Sequence, residues 1–305
     1  MPLTLALDIG GTKIAAGLVD AEGNLVHTAT LATPHGDAVA IWAVVEALIA
    51  QSVGAADSVM RGVGISSPGP IERPAGAVSP INIPAWQHFP IVDQVAAALP
   101  GVPVRLAGDG LCMALGERWR GAAKGADCVL GIVVSTGIGG GLVLDGAPYY
   151  GRTGNAGHVG HVVVEQDGEP CSCGGRGCIE TMASGPHMTR WARSNGWVAP
   201  SDAGAAELAD AANAGNHLAL EAFQRGGRAI GRMIASVAAV CDLDLVVVGG
   251  GVAKSGPLLF EPLRDALASH ARLEFIRGVR VVPAALGGDA GLVGAAALVD
   301  TAIRT

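Results

Sequence analysis

The chain has 305 residues, of which 50% are hydrophobic and 15% charged, and its net charge at neutral pH is -7. This length fills one large or two medium domains, and a composition with 46 glycines is typical of a compact α/β enzyme, not of a disordered or fibrous protein. The acidic balance and the lack of a lysine or arginine block argue against partners such as nucleic acid or an anionic membrane surface.

The N-terminal stretch, MPLTLALDIGG, has no basic region before its short apolar run, so it does not have the pattern of a signal peptide. The longest apolar stretch, VLGIVVSTGIGGGLVL, is interrupted by glycines and does not predict a membrane span. We therefore expect a soluble, cytoplasmic protein. In a reducing cytosol, clustered cysteines are more often metal ligands than disulfides.

A strand–turn–strand pattern occurs twice along the chain. The first copy is LTLALDIGGTKIAAGLV, after which DAEGN turns into a third strand; the second copy is CVLGIVVSTGIGGGLVL. Each copy has an apolar strand that reaches a small polar residue, passes a glycine turn and returns as an apolar strand. The repetition predicts an internally duplicated α/β fold.

Helical and extended segments alternate between and after these two copies. Helices are predicted over AVAIWAVVEALIAQSV and PIVDQVAAALP, and a strand over MRGVGISS. A strand, a turn at Gly108 to Gly110 and a helix are predicted over PVRLAGDGLCMALGERWRGA. Residues 201–242 form a helical region in which Gly231 marks a close-packing point, LDLVVV is a buried strand, and GDAGLVGAAALVDTAI is a closing helix.

The pattern predicts two domains. The smaller is expected to span residues 1–107 and to be completed by the C-terminal helix at 289–305, and the larger to span residues 108–288.

Three glycine loops follow predicted strands and can present backbone N–H groups to a phosphate chain. None has the spacing of a P-loop or of a dinucleotide-binding fingerprint, and one such loop alone would equally fit a tight hairpin. Together with Asp8 they favour nucleotide binding, with Asp8 holding Mg²⁺ through water. The candidate nucleotide-binding residues are Asp8, Gly10, Gly11, Thr12, Lys13, Ser135, Thr136, Gly137, Gly249, Gly250 and Gly251.

Asp109 follows a strand and precedes a helix, between two glycines. A carboxylate in this position can accept a proton from a substrate hydroxyl group, which is the role of an aspartate in phosphoryl transfer. The local pattern alone equally allows Asp109 to be the N-cap of the following helix.

Three of the six cysteines lie within eight positions, just after a histidine. His161, Cys171, Cys173 and Cys178 offer one nitrogen and three sulfur ligands, and the intervening glycines allow a tight loop. Such a set closes a tetrahedral Zn²⁺ site and leaves no position for water, so the predicted zinc is structural. The alternative is a glycine loop with three free thiols.

The combination resembles the ROK family of bacterial sugar kinases. The resemblance rests on DIGGTK at 8–13, STGIGGG at 135–141, GRTGNAGHVGH at 151–161, CSCGGRGCIE at 171–180 and VVVGGGV at 246–252. It implies the actin/hexokinase-like ATPase fold, built from duplicated ribonuclease H-like domains, with ATP and Mg²⁺ as cofactors, structural Zn²⁺ and a homodimer. It further implies that Asp109 is the general base for the 6-hydroxyl group of a hexose. The substrate-contacting residues would be Ser67, Gly69, Asn82, Asp109, His158, His161 and Glu180.

Two positions depart from the family's pattern. Gly108 stands where the family usually has asparagine, and His158 where it usually has glutamate; a histidine there also occurs in some N-acetylmannosamine kinases. Glucose is the first expectation for the substrate, and N-acetylmannosamine or another amino-hexose is the alternative. Polyphosphate in place of ATP stays open as the phosphate donor.

Two further classes of function fit the sequence less well. A ROK-type transcriptional regulator carries a DNA-binding domain ahead of its first strand, for which the start at Leu3 leaves no room in this sequence. A sugar-binding module without catalysis is disfavoured because Asp8, Lys13 and Asp109 keep chemically competent side chains.

Overall fold

Two five-stranded sheets form the framework of the computed structural model, which describes residues 2–299. The first sheet contains, in spatial order, β3 (Leu25–Ala32), β2 (Lys13–Val19), β1 (Leu3–Ile9), β4 (Met60–Ser67) and β7 (Val104–Gly108). The second contains β10 (Ala147–Tyr149), β9 (Ile138–Leu144), β8 (Val129–Val134), β11 (Leu245–Gly249) and β12 (Arg280–Pro283). A small hairpin pairs β5 (Ile71–Glu72) with β6 (Ala77–Val78).

The two sheets have the same strand order. In each, the first three strands in chain order form a meander, the fourth lies beside the first, and the fifth lies beside the fourth. Strand β1 pairs antiparallel with β2 and parallel with β4, and β8 pairs parallel with β11. This shared order confirms the duplication that the repeated strand–turn–strand pattern predicts.

Nine α-helices occur within residues 2–299. They are α1 (Ala38–Gly54), α2 (Ile91–Ala98), α3 (Asp109–Arg120), α4 (Glu180–Ala183), α5 (Gly185–Ser194), α6 (Ala205–Asn213), α7 (His217–Cys241), α8 (Pro257–His270) and α9 (Ala290–Ala297). Among them, none is long and apolar enough to span a membrane.

The predicted helical region at 201–242 is two helices, not one. Gly215 has a φ of +87°, which ends α6, and Asn216 then caps α7 by accepting hydrogen bonds from the N–H groups of Leu218 and Ala219, each at 3.1 Å. Gly231 is a close-packing point, as predicted, because a Cβ atom there would lie 2.3 Å from the carbonyl oxygen of Leu263 in α8.

The contacts of the chain divide it into two compact units. The first comprises the chain up to Asp127, Gly141–Gly157 and the chain from Ala285 onward; the second comprises Cys128–Gly140 and His158–Ala284. The expected boundary at 107/108 falls inside the first unit, because α3 packs against α9 and β7. Residues 300–305 of the expected C-terminal helix lie outside the described residues.

Helices α3 and α9 of the first unit approach each other backbone to backbone. A Cβ atom at Gly294 would lie 1.6 Å from the carbonyl oxygen of Cys112, and one at Gly116 would lie 2.4 Å from that of Ala290. Because only glycine fits at these two positions, α3 and α9 have a fixed relative placement beside β1 and β4.

Candidate active site

Asp109 is the first residue of α3, directly after the carboxyl end of β7. The N-cap position belongs to Gly108, so the alternative in which Asp109 is the N-cap does not hold. Oδ1 of Asp109 accepts a hydrogen bond from the N–H group of Gly110 at 2.7 Å. Burial of the carboxyl group raises the pKa of Asp109 to about 6, and the negative charge of Asp8 adds to the rise.

Asp8 lies near the carboxyl end of β1, in the same unit as Asp109. Its Oδ1 accepts a hydrogen bond from the hydroxyl group of Ser66 at 2.7 Å. Burial raises the pKa of Asp8, while Ser66 and the charge of Lys13 oppose the rise. A Cβ atom at Gly291 of α9 would lie 2.6 Å from Oδ2 of Asp8, so the chain packs closely around this carboxylate.

The first glycine loop lies beside Asn82. A Cβ atom at Gly11 would be 2.9 Å from Nδ2 of Asn82, and one at Gly10 would be 2.6 Å from the carbonyl oxygen of Lys13. The hydroxyl group of Thr33 donates to the carbonyl oxygen of Gly10 at 2.6 Å. The loop is thus held by Thr33, the residue that follows β3. It places one predicted phosphate-binding segment next to one predicted sugar-binding residue.

The ends of β4 and β7 place Ser67 beside Gly108. The two residues are partners in the parallel register of these strands, and Ser67 is fully buried. Gly108 has a φ of -65° and a ψ of 148°, which any residue can adopt, and a Cβ atom there would meet no atom within 4 Å. Neither backbone conformation nor packing requires glycine next to Asp109. Gly69 follows at the turn after β4.

The second and third glycine loops meet in the second unit. A Cβ atom at Gly251 would lie 3.6 Å from Oγ of Ser135, and one at Gly250 would lie 2.3 Å from the carbonyl oxygen of Val134. Gly250 also has a φ of +94°, so both the backbone conformation and the lack of space for a side chain require glycine at this position. The fold places these two loops side by side at the ends of β8 and β11.

A cavity of about 620 Å³ opens on these two loops, within the size range of small-molecule sites. Ser135, Thr136 and Gly251 line it, together with Val252, residues of α5, the loop that precedes α6 and the start of α6. The side chain of Arg193 is fixed at this cavity by donating to the carbonyl oxygens of Pro200 and Ala203. Gly137 and Gly249 belong to the same loops but are absent from the cavity wall.

The four predicted metal ligands lie together in the second unit. The ligand atoms of His161, Cys171, Cys173 and Cys178 are all within 4.8 Å of one another. Sγ of Cys173 lies 3.7 Å from Sγ of Cys178, close to the separation of about 3.8 Å that Zn–S bonds of about 2.3 Å give in a tetrahedron. Nδ1 of His161 lies 3.6 Å from Sγ of Cys171. The donor set and its spacing fit a zinc ion.

Two of the predicted sugar-binding residues border this cluster. Glu180, two residues after Cys178, begins α4, and its Oε2 accepts a hydrogen bond from the N–H group of Ile138 at 2.9 Å. The rings of His158 and His161 are stacked, with centroids 5.2 Å apart. The cluster thus lies on the two segments that carry His161 and Glu180, which the hydrogen bond from the N–H group of Ile179 to the carbonyl oxygen of Val162 joins at 2.9 Å.

One residue of structural importance was missed from the sequence. Glu117 of α3 is fully buried, and its carboxylate accepts hydrogen bonds from the N–H groups of Ala122, Ala285 and Leu286 at 2.8, 3.0 and 2.8 Å. It ties α3 to the segment that leads into α9. No local sequence pattern marks this residue, because its hydrogen-bond partners at 285 and 286 are distant in the sequence.

Comparisons with known proteins agree with this arrangement. The model of the ROK family matches residues 4–302. The chain is 35% identical to a glucokinase of Thermotoga maritima over 98% of each chain. It is also 35% identical to an N-acetylmannosamine kinase of Yersinia pseudotuberculosis, over 98% of this chain and 99% of that protein.

Among solved structures, a ROK family glucokinase from Streptomyces griseus in complex with glucose and AMPPNP has 34% identity and a TM-score of 0.80. The match covers 96% of this chain and 98% of that one.

Proposed function

Since the chain belongs to the ROK family and is a sugar kinase, we propose that it transfers the γ-phosphate of ATP to the 6-hydroxyl group of a hexose. The observation that carries this proposal is the placement of Asp109, at the carboxyl end of a strand and with a pKa of about 6. A carboxylate with this pKa is largely ionised at neutral pH and is still basic enough to accept a proton.

In the proposed reaction, Asp109 accepts the proton of the sugar's 6-hydroxyl group as its oxygen attacks the γ-phosphorus atom. The bond between that phosphorus and the bridging oxygen breaks, and ADP leaves with the electron pair. Burial makes Asp109 a stronger base, because it brings the pKa of the carboxyl group closer to the pH at which the reaction takes place. The other groups of the site position the reactants and stabilise charge.

The cavity of the second unit is the proposed site of the nucleotide. Its wall contains Ser135, Thr136 and Gly251 from two glycine loops, whose backbone N–H groups suit phosphate oxygens. Its volume of about 620 Å³ also accommodates an adenosine group. Because a polyphosphate donor has no such group, the cavity supports ATP as the donor.

The loop at residues 10–13 is the proposed contact to the transferred phosphate, with Thr12 and Lys13 exposed at its tip. Asp8 would hold Mg²⁺ through water, because carboxylate oxygens are the ligands that this ion prefers. When bound, the ion supplies positive charge that offsets the charge of the phosphate oxygens.

Glucose is the first proposed substrate, held by Ser67, Gly69, Asn82, His158, His161 and Glu180 in addition to Asp109. An amino-hexose such as N-acetylmannosamine is the second candidate. It is favoured by the open space at Gly108, next to the base, where no packing within the chain explains the missing side chain. A substituent on the sugar ring would fill that space, and buried polar groups discriminate between substrates by about 1–3 kcal/mol per hydrogen bond.

An ADP-release assay with saturating MgATP tests the proposed reaction. The panel is glucose, mannose, N-acetylglucosamine, N-acetylmannosamine and 3-amino-3-deoxyglucose. Highest kcat/KM for glucose supports a glucokinase, whereas an advantage of about tenfold or more for an amino sugar supports the second candidate. Absence of ADP release with every sugar would contradict the proposed reaction, and turnover with tripolyphosphate but not ATP would contradict the proposed donor.

A structural zinc ion is proposed for the cluster of His161, Cys171, Cys173 and Cys178. Ligation through Nδ1 of His161 leaves its Nε2 for a sugar hydroxyl group, and the ion would hold the loop that precedes Glu180. Metal analysis should find about one zinc per chain. Cys173→Ser should lose zinc and raise the KM for the sugar, whereas Cys128→Ser, outside the cluster, should retain both properties. Folded, active protein with no zinc would contradict the proposal.

The resemblance also supports a homodimer in the cytoplasm. Light scattering on the purified chain should give twice the chain mass of 30.4 kDa. A stable monomer with full activity would contradict the dimer.

A further inference from the structure

The first unit contains a second cavity that the proposed reaction does not use. It measures about 720 Å³, and three arginines line it: Arg73, Arg105 and Arg152. A size in this range fits a small molecule and exceeds what a single ion needs. The three arginines come from the turn after β5, from β7 and from the chain after β10.

Hydrogen bonds hold two of these segments together. The N–H group of Arg73 donates to the carbonyl oxygen of Thr153 at 3.1 Å. The side chain of Asn155 accepts from the N–H group of Ile71 and donates to its carbonyl oxygen, both at 2.8 Å. Arg73 and Arg152 are therefore presented from segments with a fixed relative placement.

The guanidinium group of Arg73 lies over the ring of Tyr150, with Cζ 3.9 Å from the ring centroid. Stacking on an aromatic ring fixes the plane of the guanidinium group and leaves its N–H edge available. That edge can form two parallel hydrogen bonds to a phosphate or carboxylate group.

The charges around the cavity are unbalanced. Within residues 2–299, none of the three arginines forms an ion pair with a carboxylate, and Arg105 only donates to its neighbour's carbonyl oxygen at 3.3 Å. Asp93 is the one acidic residue of the wall as described. The lining therefore carries three positive charges and one negative charge, although the whole chain has a net charge of -7. Apolar side chains also line the cavity, among them Val92, Val104 and Leu106.

From this geometry we infer a binding site for a small organic phosphate. The arginines would bind the phosphate group, and the apolar side chains of the lining would contact the carbon skeleton of the ligand. Arg105 lies on β7, four residues before Asp109, so a bound ligand would contact the strand that presents the base. An effect of the bound phosphate on sugar turnover rests on the proposed function, whereas binding of the phosphate to the cavity does not.

Calorimetric titration tests the site, with MgADP and glucose present throughout to occupy the proposed nucleotide and sugar sites. The probes are glycerol 3-phosphate and inorganic phosphate. Wild-type protein should bind glycerol 3-phosphate with a Kd of about 1 mM or lower. The double variant Arg73→Gln/Arg152→Gln should bind it at least about tenfold more weakly. Arg272→Gln, an exposed arginine of the second unit, should bind it as the wild type does.

The outcomes separate the possible ligands. Tighter binding of glycerol 3-phosphate than of inorganic phosphate supports an organic phosphate, and equal binding of both supports a site for the phosphate group alone. No binding by the wild type up to about 10 mM, or equal binding by the double variant, overturns the inference. A changed oligomeric state of the double variant without phosphate binding by either protein would assign the cavity to a protein contact and also overturn it.

These results are independent of the sugar kinase proposal, because the ADP-release panel reports on that separately. A chain that turns over sugar but binds no phosphate here refutes only the inference.

Discussion

Asp8 and Asp109 lie at the carboxyl ends of two strands of one sheet, and their surroundings differ. The chain packs closely around Asp8: Ser66 donates to it at 2.7 Å, and Gly291 approaches so closely that a Cβ atom would lie 2.6 Å from Oδ2. Gly108, directly before Asp109, borders open space instead, because a Cβ atom there would have no atom of the chain within 4 Å.

This difference indicates two roles. The position of Asp8 is determined by the protein itself, which suits a group that holds charged partners in place. The open space at Gly108, the residue before Asp109, suits the proposed role of Asp109 as the group that reacts with a bound substrate. Burial raises the pKa of both carboxyl groups, so the distinction lies in packing and not in the direction of the pKa shift.

The largest expected effect is that of Asp109→Asn on turnover. Asparagine keeps an oxygen to accept from the Gly110 N–H group but cannot accept the substrate's proton. We expect kcat to fall by at least about 10²-fold, with the KM for ATP little changed. Steady-state ADP release measures this, and near-normal turnover would refute the role of Asp109 as base.

Gly291→Ala should have the next largest effect. The added methyl group would displace Asp8, which Ser66 holds in place, and overpacking of this kind costs about 1–3 kcal/mol. We expect a lower unfolding midpoint and a kcat reduced by about tenfold. Gly288→Ala is the matched control, since a Cβ atom there meets no atom within 4 Å. Equal behaviour of the two variants would show that close packing at Asp8 is unimportant.

Asp109→Asn should also stabilise the protein in a pH-dependent way. The pKa of Asp109 is about 6 in the folded chain against an ordinary value of 3.8, so folding favours the protonated carboxyl group. The stability that this group contributes is fully present below about pH 4 and is lost as the pH rises through 6. Relative to wild type, the variant should gain on the order of 1–3 kcal/mol at pH 8 and nothing at pH 4.

Urea unfolding at both pH values measures that gain. A constant difference between wild type and Asp109→Asn at pH 4 and pH 8 would show that the charge of Asp109 is not the cause.

The smallest expected effect on stability is that of substitutions at Gly108. Gly108→Ala and Gly108→Asn should change the free energy of unfolding by less than about 0.5 kcal/mol, because the backbone conformation is ordinary and the space is open. If the sugar fills that space, Gly108→Asn should change the ratio of kcat/KM between glucose and an amino sugar by about tenfold. An unchanged ratio would place the sugar elsewhere.

Local patterns predicted the duplicated strand–turn–strand units, the glycine loops and the four clustered metal ligands. Each of these depends on residues close together in the sequence or on a repeat. The metal cluster was predictable because its four ligands lie within residues 161–178, and the glycines between them allow the tight turns that bring the ligands together.

Contacts between distant segments were not predictable in the same way. The carboxylate of Glu117 meets backbone groups at 285 and 286, and a buried glutamate in a helix has the same local pattern as an exposed one. In the sequence, Gly291 is only a glycine that weakens a helix. The structure shows that it lies too close to Asp8 for a larger residue. The break between α6 and α7 was missed because the helical pattern continues on both sides of Gly215.

The pH dependence of kcat/KM for the sugar tests the central claim most directly. It should be measured from pH 5 to 8 at saturating MgATP, with the Mg²⁺ concentration adjusted at each pH so that the complex stays saturating. Because only the ionised form of Asp109 can accept the proton, kcat/KM should fall as the pH drops, with an apparent pKa near 6. A value that stays constant from pH 8 to pH 5 would contradict a base with this pKa at the centre of the reaction.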